Sequence, residues 1–227
     1  MSLRARIKAV IFDMDGLMFD TERIAQTAWQ HAASKFGYDF TAETYAGIIG
    51  LALPDVVQYT RTTFGADFPF DSIYMRKQEL VDEWITIHGT PLKAGLLELM
   101  DQVERADLRM ALASSSGKGI ILRNLEHAGL QAERFNAIVG GDEISRGKPA
   151  PDIFLAASRR LGVVPAECLV LEDSNTGIQA ACAAGMIAIM VPDMLSPSDA
   201  TMGCAWQILP DLYAVRDLLL EENGRQS

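Results

Sequence analysis

The chain has 227 residues, of which 49% are hydrophobic, so it can bury a sizeable core as one domain or as one domain with an insertion. Its 30 acidic and 20 basic residues give a net charge of −10, which excludes a nucleic-acid binder that works through a basic surface. An anionic ligand would therefore need a metal ion or a placed lysine.

The first predicted element is a short apolar strand at residues 9–12 that ends in two carboxylates. The run shows no polar alternation, which is typical of a strand covered on both faces in a parallel sheet. Asp13 and Asp15 follow it, and Gly16 then turns the backbone. Ligands bind beyond the carboxyl ends of such strands, and neighbouring acids repel unless a cation or a shared proton offsets their charge. The pattern favours a metal site over a solvated acidic turn.

The next part of the chain carries helical patterns and no convincing strand. Helices are predicted at residues 21–36, 41–49, 54–64 and 71–87, and Gly37 is a plausible end of the first. Gly and Pro punctuate the chain between His88 and Pro91. We therefore expect a helical insertion with edges near Phe19–Asp20 and at His88–Pro91.

From Pro91 onwards helices and strands alternate. Helices are predicted at residues 95–105, 118–128, 151–161 and 177–184, and strands at 109–113, 137–139, 168–171 and 187–191. Alternation of this kind predicts parallel strands joined by right-handed crossovers, and hence an α/β fold. Residues 221–227 are predicted to be a frayed tail.

Three of these later segments end in polar residues that suit phosphate or metal binding. Ser114 leaves its strand into Ser115, Ser116 and Gly117, where hydroxyl and backbone N–H groups could cradle a phosphate; the alternative is that Ser114 or Ser116 only caps the next helix. Lys148 stands between Gly147 and Pro149, but the spacing does not match a Walker loop. A further strand ends in Glu172 and Asp173.

Together these segments resemble the haloacid dehalogenase-like hydrolases over nearly the whole chain. The family's four motifs are matched in order by Asp13-Met-Asp15-Gly16, Ser114, Lys148 and Glu172-Asp173. The insertion resembles the helical cap of the subgroup that contains β-phosphoglucomutase, phosphonoacetaldehyde hydrolase and phosphoglycolate phosphatase. The resemblance implies a Rossmann-like parallel-sheet core of residues 1–18 and 89–227 and a helical cap of residues 19–88.

The expected chemistry is hydrolysis of a phosphate ester. Asp13 is ionised near neutral pH, so it can attack phosphorus without a base and form an aspartyl-phosphate. By resemblance, Asp15 protonates the leaving oxygen and then deprotonates the water that hydrolyses the intermediate. The remaining site residues offset negative charge: Mg²⁺ held by Asp13, Asp173 and the Asp15 carbonyl, with Glu172 as a further candidate, and phosphoryl oxygens bound by Ser114, Ser115 and Lys148.

Other activities of the superfamily fit the sequence less well. Metal-independent dehalogenases do not keep the acid at Asp15, and a phosphonate hydrolase needs a cap lysine, for which Lys35 and Lys77 lack distinguishing context. A phosphomutase is harder to exclude. Its cap supplies a histidine and an arginine near Ala25 and Leu53, so this chain lacks those cations unless another turn supplies one, for which the candidates are Arg23, Arg61 and Arg76. A non-catalytic binding protein on the same scaffold is the alternative from another class.

The predicted partner is a small phosphorylated metabolite such as a sugar phosphate. The most apolar stretch, residues 178–191, is too short to cross a bilayer, and the N-terminus shows no apolar signal-peptide segment. Cys168, Cys182 and Cys204 have no CxxC spacing and are expected to be reduced thiols. We expect a cytoplasmic protein without nucleic-acid or membrane partners, and a monomer with a dimer as the alternative.

Overall fold

The computed structural model describes residues 6–51 and 53–221, and at its centre is a six-stranded parallel sheet. Its spatial order is β3-β2-β1-β4-β5-β6. The strands are β1 (Ala9–Phe12), β2 (Arg109–Ser114), β3 (Ala137–Gly140), β4 (Cys168–Glu172), β5 (Ile187–Met190) and β6 (Gln207–Ile208). The predicted α/β fold with a parallel sheet is confirmed.

The strand β1 occupies the switch point of this sheet. It pairs with β2 on one side and with β4 on the other, so the chain winds outward in both directions from it. Phe12 is in register with Leu112 and with Leu171, which brings the ends of the three strands to the same edge. A crevice at such an edge is where α/β sheets bind ligands. All four residues of β1 are buried, as their unbroken apolar run predicts.

Helices cover both faces of the sheet and form the insertion. The insertion contains α1 (Glu22–Ser34), α2 (Ala42–Ala46), α3 (Leu53–Phe64) and α4 (Phe70–His88). The other helices are α5 (Leu96–Arg105), α6 (Lys118–His127), α7 (Asp152–Leu161), α8 (Asn175–Ala183), α9 (Asp199–Cys204) and α10 (Leu212–Glu221). The sequence analysis did not predict α9, β6 or α10.

One predicted helix is shorter than expected. The pattern at residues 41–49 predicted a single helix, but α2 ends at Ala46 and turns follow it. Gly50 then adopts a φ of 75°, a left-handed conformation that glycine reaches without steric cost. A Cβ there would lie 2.6 Å from Thr176 Oγ1 and 2.8 Å from Ser174 Oγ. This glycine therefore lets the insertion approach the end of β4 closely.

The insertion has a hydrophobic core of its own. Trp29 stacks on Phe40 with ring centroids 4.9 Å apart, and Phe70 packs beside them. The loop after β5 joins this cluster through Met194 and Leu195. The two linkers to the sheet run side by side, because the backbone N–H of residue 20 donates to the carbonyl of residue 91 and that of residue 93 donates to the carbonyl of residue 18. The division into residues 19–88 and the remainder stays a prediction.

The helix α10 extends to residue 221, and the predicted frayed tail lies otherwise outside the described residues. Within the described ranges, none of the helices combines the length and the apolar character that a membrane crossing needs.

Candidate active site

A cavity of about 520 Å³ opens between the carboxyl edge of the sheet and the insertion. Its base, which we call the catalytic floor, comprises Asp13 and Asp15 after β1, Ser114 at the end of β2, Lys148 from the loop after β3, and Glu172 and Asp173 at the end of β4. The structure thus brings together all four segments that the sequence analysis selected. Ser115 also lines the cavity.

Lys148 is the cation of the catalytic floor. Its side chain is buried, and its Nζ donates hydrogen bonds to Asp13 Oδ1 and, at 2.6 Å, to Glu172 Oε1. Burial alone would lower the pKa of Lys148, but the Asp13 and Glu172 carboxylates outweigh it and raise the pKa. The lysine therefore stays charged at any working pH. Its peptide bond to Pro149 is cis.

The floor carries more negative charge than this lysine can balance. Carboxylate oxygens of Asp13, Glu172 and Asp173 lie within 4.8 Å of one another, and all three residues are buried. Burial raises the pKa of Asp13, although Lys148 opposes the shift. Burial also raises the pKa of Asp173, and Glu172 and Asp13 reinforce that shift. An oxygen-rich, anionic and compact cluster suits a hard divalent cation such as Mg²⁺, so the residues present fit the metal that the sequence predicted.

Glu172 is already engaged by protein donors. One carboxylate oxygen accepts from Lys148, and the other accepts from the Ser174 backbone N–H at 2.6 Å and from Ser174 Oγ at 2.8 Å. Glu172 therefore orients the lysine and the start of α8. Gly16 lets the turn after β1 approach Asp173 closely. Its φ is 83°, and a Cβ at this position would collide with the Asp173 carboxylate.

Two hydroxyl groups hold the Asp15 carboxylate apart from the acidic cluster. Thr21 Oγ1 donates to Asp15 Oδ1 at 2.7 Å, and Ser116 Oγ donates to Asp15 Oδ2 at 3.1 Å. The carboxylate group is therefore oriented from both sides. Its predicted contribution to the metal site, through the backbone carbonyl, stays a prediction.

The serine segment has a different role from the alternative considered for it. Ser114 Oγ accepts from the Ser116 backbone N–H at 3.1 Å, which closes a turn, and Ser114 is buried at the floor. The helix α6 begins after Gly117, and the Lys118 backbone N–H donates to Asp142 Oδ1 at 3.0 Å. The alternative that a serine merely caps this helix is wrong, because the N-cap residue is Gly117, and Asp142, not a serine, accepts from the first backbone N–H of the helix.

The insertion supplies the side of the cavity, which we call the insertion wall. Lys77 on α4 and Glu22 on α1 line it, and Tyr45 donates a hydrogen bond to Glu22 Oε2. Burial raises the pKa of Glu22 to about 7, and the Asp15 charge reinforces the shift. Burial lowers the pKa of Lys77, although Asp15 and Glu22 oppose that change. Two titratable groups of opposite charge therefore border the floor from the insertion.

The arginines that the sequence analysis considered do not line the cavity. Arg23 pairs with Asp20 and Asp193, Arg76 pairs with Glu79 and Glu83, and Arg61 is exposed. Instead, Arg123 on α6 lines the cavity, with its Nη2 2.7 Å from Asp82 Oδ1 on α4. Ala25 and Leu53 do line the insertion wall, as their positions in the resemblance imply. Apart from Lys148 of the floor, the described residues that line the cavity thus include two further cations, Lys77 and Arg123.

Sequence reasoning missed several cavity residues for which a signal existed. Tyr74, Lys77, Val81 and Ile85 recur at intervals of three or four, and all four line the cavity. A lysine on an otherwise apolar helical stripe is the sign that Lys77 faces a special environment. Thr21 and Ser116 had no such signal, because their contacts with Asp15 depend on loop conformation.

Comparison with known proteins shows which family the chain is similar to. A family model described as haloacid dehalogenase-like hydrolase matches residues 10–191. The fructose-1-phosphate phosphatase YqaB of Escherichia coli (strain K12) is 34% identical over 188 residues, which are 82% of this chain and 97% of that protein. A probable pseudouridine-5'-phosphatase of Drosophila melanogaster is 32% identical over 212 residues, 91% of this chain and 90% of that protein. The protein SUPPRESSOR OF QUENCHING 1, chloroplastic, of Arabidopsis thaliana is 36% identical over 84% of this chain, which spans only 18% of that protein.

A solved structure agrees in fold. CbbY from Rhodobacter sphaeroides in complex with phosphate superposes with a TM-score of 0.76 at 26% identity, covering 91% of this chain and 95% of that chain. The predicted resemblance is confirmed, since the family model covers residues 10–191, which are most of the chain. The chain belongs to the haloacid dehalogenase-like hydrolases.

Proposed function

We propose that this protein is a Mg²⁺-dependent phosphatase that hydrolyses a small phosphorylated metabolite through an aspartyl-phosphate at Asp13. The observation that carries the proposal is the catalytic floor itself. It holds a buried carboxylate nucleophile fixed by Lys148, two further acids next to it, and a separately oriented acid at Asp15. A non-catalytic binding protein would not need this second acid.

In the first half-reaction, Asp13 bonds to phosphorus and the bond to the leaving oxygen breaks. Lys148 holds Oδ1 of Asp13, so Oδ2 is the oxygen available for attack. Asp15 gives its proton to the leaving oxygen, because an alkoxide leaves poorly. Ser114 and Ser115 bind the phosphoryl oxygens as the charge moves onto them.

In the second half-reaction, water attacks phosphorus and the bond between phosphorus and Asp13 breaks. Asp15, now ionised, takes the proton from this water. Thr21 and Ser116 keep its carboxylate in one place through both steps. Inorganic phosphate leaves, and Asp13 returns to its starting state.

The divalent cation would be held by Asp13, Asp173 and the Asp15 carbonyl, next to Glu172. When bound, it offsets the negative charge that phosphate and nucleophile share. Sequence reasoning assumed an ordinary pKa for Asp13, whereas burial raises it. Lys148 and the cation together favour the ionised nucleophile.

The names of the relatives support a small metabolite as the leaving group. One is named for a ketose phosphate and another for a ribonucleoside phosphate, so the family alone does not choose between them. A screen of the purified protein with Mg²⁺ against phosphorylated metabolites, with free phosphate as the readout and EDTA as the control, tests the proposal. No phosphate release from any ester, including p-nitrophenyl phosphate, would contradict it.

Phosphomutase activity is the second candidate, because Lys77 and Arg123 line the cavity and could bind a second phosphate. Arg123 is paired with Asp82, however, and the Glu22 and Asp15 charges already act on Lys77, where they oppose the lowering of its pKa by burial. We therefore favour hydrolysis. Incubation with β-glucose 1-phosphate and a trace of the 1,6-bisphosphate separates the two functions. Rapid isomer formation with almost no free phosphate would establish the mutase.

A further inference from the structure

Two of the three cysteines meet between neighbouring helices, outside the active-site cavity. Cys182 lies on α8 and Cys204 is the last residue of α9, and both are free thiols. Neither residue lines the cavity, so the proposed phosphatase chemistry gives them no role. The sequence alone gives no sign of this pair, because the two residues are distant in the chain and have no CxxC spacing.

The packing of α8 against α9 brings the two cysteines together. Where both helices begin, Asn175 Oδ1 accepts hydrogen bonds from the Ser198 backbone N–H at 2.8 Å and from Thr201 Oγ1 at 2.7 Å. Cys182 lies about two turns beyond Asn175 and therefore on the same face of α8, and Cys204 lies about one turn beyond Thr201 on α9. The two cysteines thus continue, further along both helices, the contact that Asn175 begins.

The two thiols are in direct contact. Burial, and then a hydrogen bond between the Cys182 and Cys204 thiols, raise the pKa of Cys182 to about 12. The residues on either side of Cys182 are alanines, at positions 180, 181, 183 and 184, so no bulky neighbour holds α9 away. A disulfide requires two cysteine side chains that point at each other from closely spaced backbones. This pair can therefore be joined with little movement of either helix.

The two thiols differ in their access to solvent. Cys204 is exposed and Cys182 is half-buried, so a reagent from solvent meets Cys204 first. An exposed thiol with a second thiol beside it is the arrangement in which one cysteine reacts and the other resolves the product to a disulfide. Cys168, the third cysteine, is buried in β4 and lies outside this pair.

We propose that Cys182 and Cys204 form a reversible disulfide that stabilises the fold when a small-molecule disulfide, such as glutathione disulfide, oxidises the protein. Cys204 releases its proton and attacks one sulfur of the reagent, whose S–S bond breaks as one half leaves as a thiolate. Cys182 then releases its proton and attacks the Cys204 sulfur, which expels the second half. The two protein thiols lose two electrons in total, and the reagent becomes two thiols by taking up the two protons.

The link would close a segment that contacts the insertion. The residues between the two cysteines include β5 and the loop after it. In this loop Asp193 pairs with Arg23 of α1, and Met194 and Leu195 join the hydrophobic core of the insertion. A cross-link across such a segment restricts the unfolded chain more than the folded one, and so stabilises the folded protein.

The test treats the purified full-length protein with glutathione disulfide and then with dithiothreitol. We expect two of the three thiols, counted after unfolding in denaturant, to be lost, and a peptide map to show Cys182 joined to Cys204. The melting temperature should rise by about 5 °C or more, which is the size of effect that a disulfide typically has in a chain of this length. Dithiothreitol should restore both the thiols and the original melting temperature.

Two variants separate the roles of the two cysteines. In Cys182→Ala the exposed Cys204 has no resolving partner, so we expect a lasting mixed disulfide with glutathione at Cys204 and no rise in melting temperature. In Cys204→Ser, which changes an exposed side chain, we expect neither an adduct at Cys182 nor a rise. The matched control Cys168→Ala keeps both members of the pair and should keep the rise. The peptide map of the wild type identifies the linked residues even if this buried substitution prevents folding.

Three results would overturn the inference: a mixed disulfide that persists at Cys204 in the wild type, a link through Cys204 between two copies of the chain, or a link within the chain that leaves the melting temperature unchanged. An absence of any reaction with glutathione disulfide would overturn it as well. All readouts are thiol counts, peptide masses and melting temperatures, so they hold whether or not the protein proves to be a phosphatase.

Discussion

The catalytic floor and the insertion wall differ in where their charges lie. The floor concentrates carboxylates around one lysine, and Asp13, Asp15 and Glu172 accept hydrogen bonds from protein donors. The wall has one acid and one lysine among apolar and aromatic side chains. On the proposed function, the floor carries out a reaction that any phosphate ester can undergo, and the wall selects the ester. Changes in the floor should abolish turnover, and changes in the wall should redistribute it among substrates.

The largest expected effect is that of removing the nucleophile. In Asp13→Asn we expect turnover of p-nitrophenyl phosphate to fall by about 1,000-fold or more, because the amide cannot form the aspartyl-phosphate. The melting temperature should stay the same or rise, since the raised pKa of Asp13 shows that its charge is costly to bury. Near-normal turnover by a folded variant would rule out Asp13 as the nucleophile.

The next effect concerns the metal. A cation that binds only the folded protein stabilises it by about 2.7 kcal/mol at a concentration 100 times its Kd. We expect Mg²⁺ to raise the melting temperature of the wild type, and Asp173→Ala to lose most of this shift together with about 100-fold or more of the activity.

The control for this prediction is Asp101→Ala, which removes an acid that pairs with Arg134 away from the cavity. It should keep both the Mg²⁺-dependent shift and the activity. Full activity of the wild type in excess EDTA would contradict the proposed metal dependence.

The sequence predicts the residues of the floor better than those of the wall. The floor follows from strand ends that are adjacent in a parallel sheet, so short motifs such as Asp13-Met-Asp15 place its residues together. The wall depends on how four helices pack over the sheet, which periodicity alone does not determine. The signal in the sequence for Lys77 is that a lysine stands on an otherwise apolar helical stripe. The expected cytoplasmic location and monomeric state stay predictions.

The missed elements have physical reasons of the same kind. The strand β6 lies at the edge of the sheet next to β5 and consists of two exposed residues, too few to form an apolar run. The helix α9 has six residues, and its start depends on Ser198, whose side chain accepts from the Thr201 backbone N–H. By contrast, α10 was missed although a signal existed, because Leu212, Val215 and Leu219 recur at helical spacing and are buried.

A smaller effect is expected from the wall lysine. In Lys77→Met, which keeps most of the side-chain volume, we expect KM for the best substrate to rise by about tenfold with a lesser change in kcat, because a group that binds the leaving group uniformly acts on KM. The control Lys35→Met removes an exposed lysine of the insertion that does not line the cavity. A fall in kcat without a change in KM would instead place Lys77 in the chemistry.

The smallest expected effect is on stability and comes from the other charged group of the wall. Burial raises the pKa of Glu22 from its ordinary value of 4.5 to about 7. The folded protein therefore binds a proton that the unfolded chain has released, so the free energy of unfolding falls as the pH rises from about 4.5 to about 7. By the usual relation between pKa and free energy, the loss is on the order of 3 kcal/mol at most.

In Glu22→Gln this titration is absent. The amide can still accept a hydrogen bond from Tyr45, so we expect the variant to fold and to be more stable than the wild type at pH 8, with little difference at pH 4.5. Urea unfolding at several pH values between 4.5 and 8 measures the two curves. Parallel curves across that range would show that Glu22 is ionised without cost in the folded protein, and that the wall, like the floor, holds its charge by specific partners.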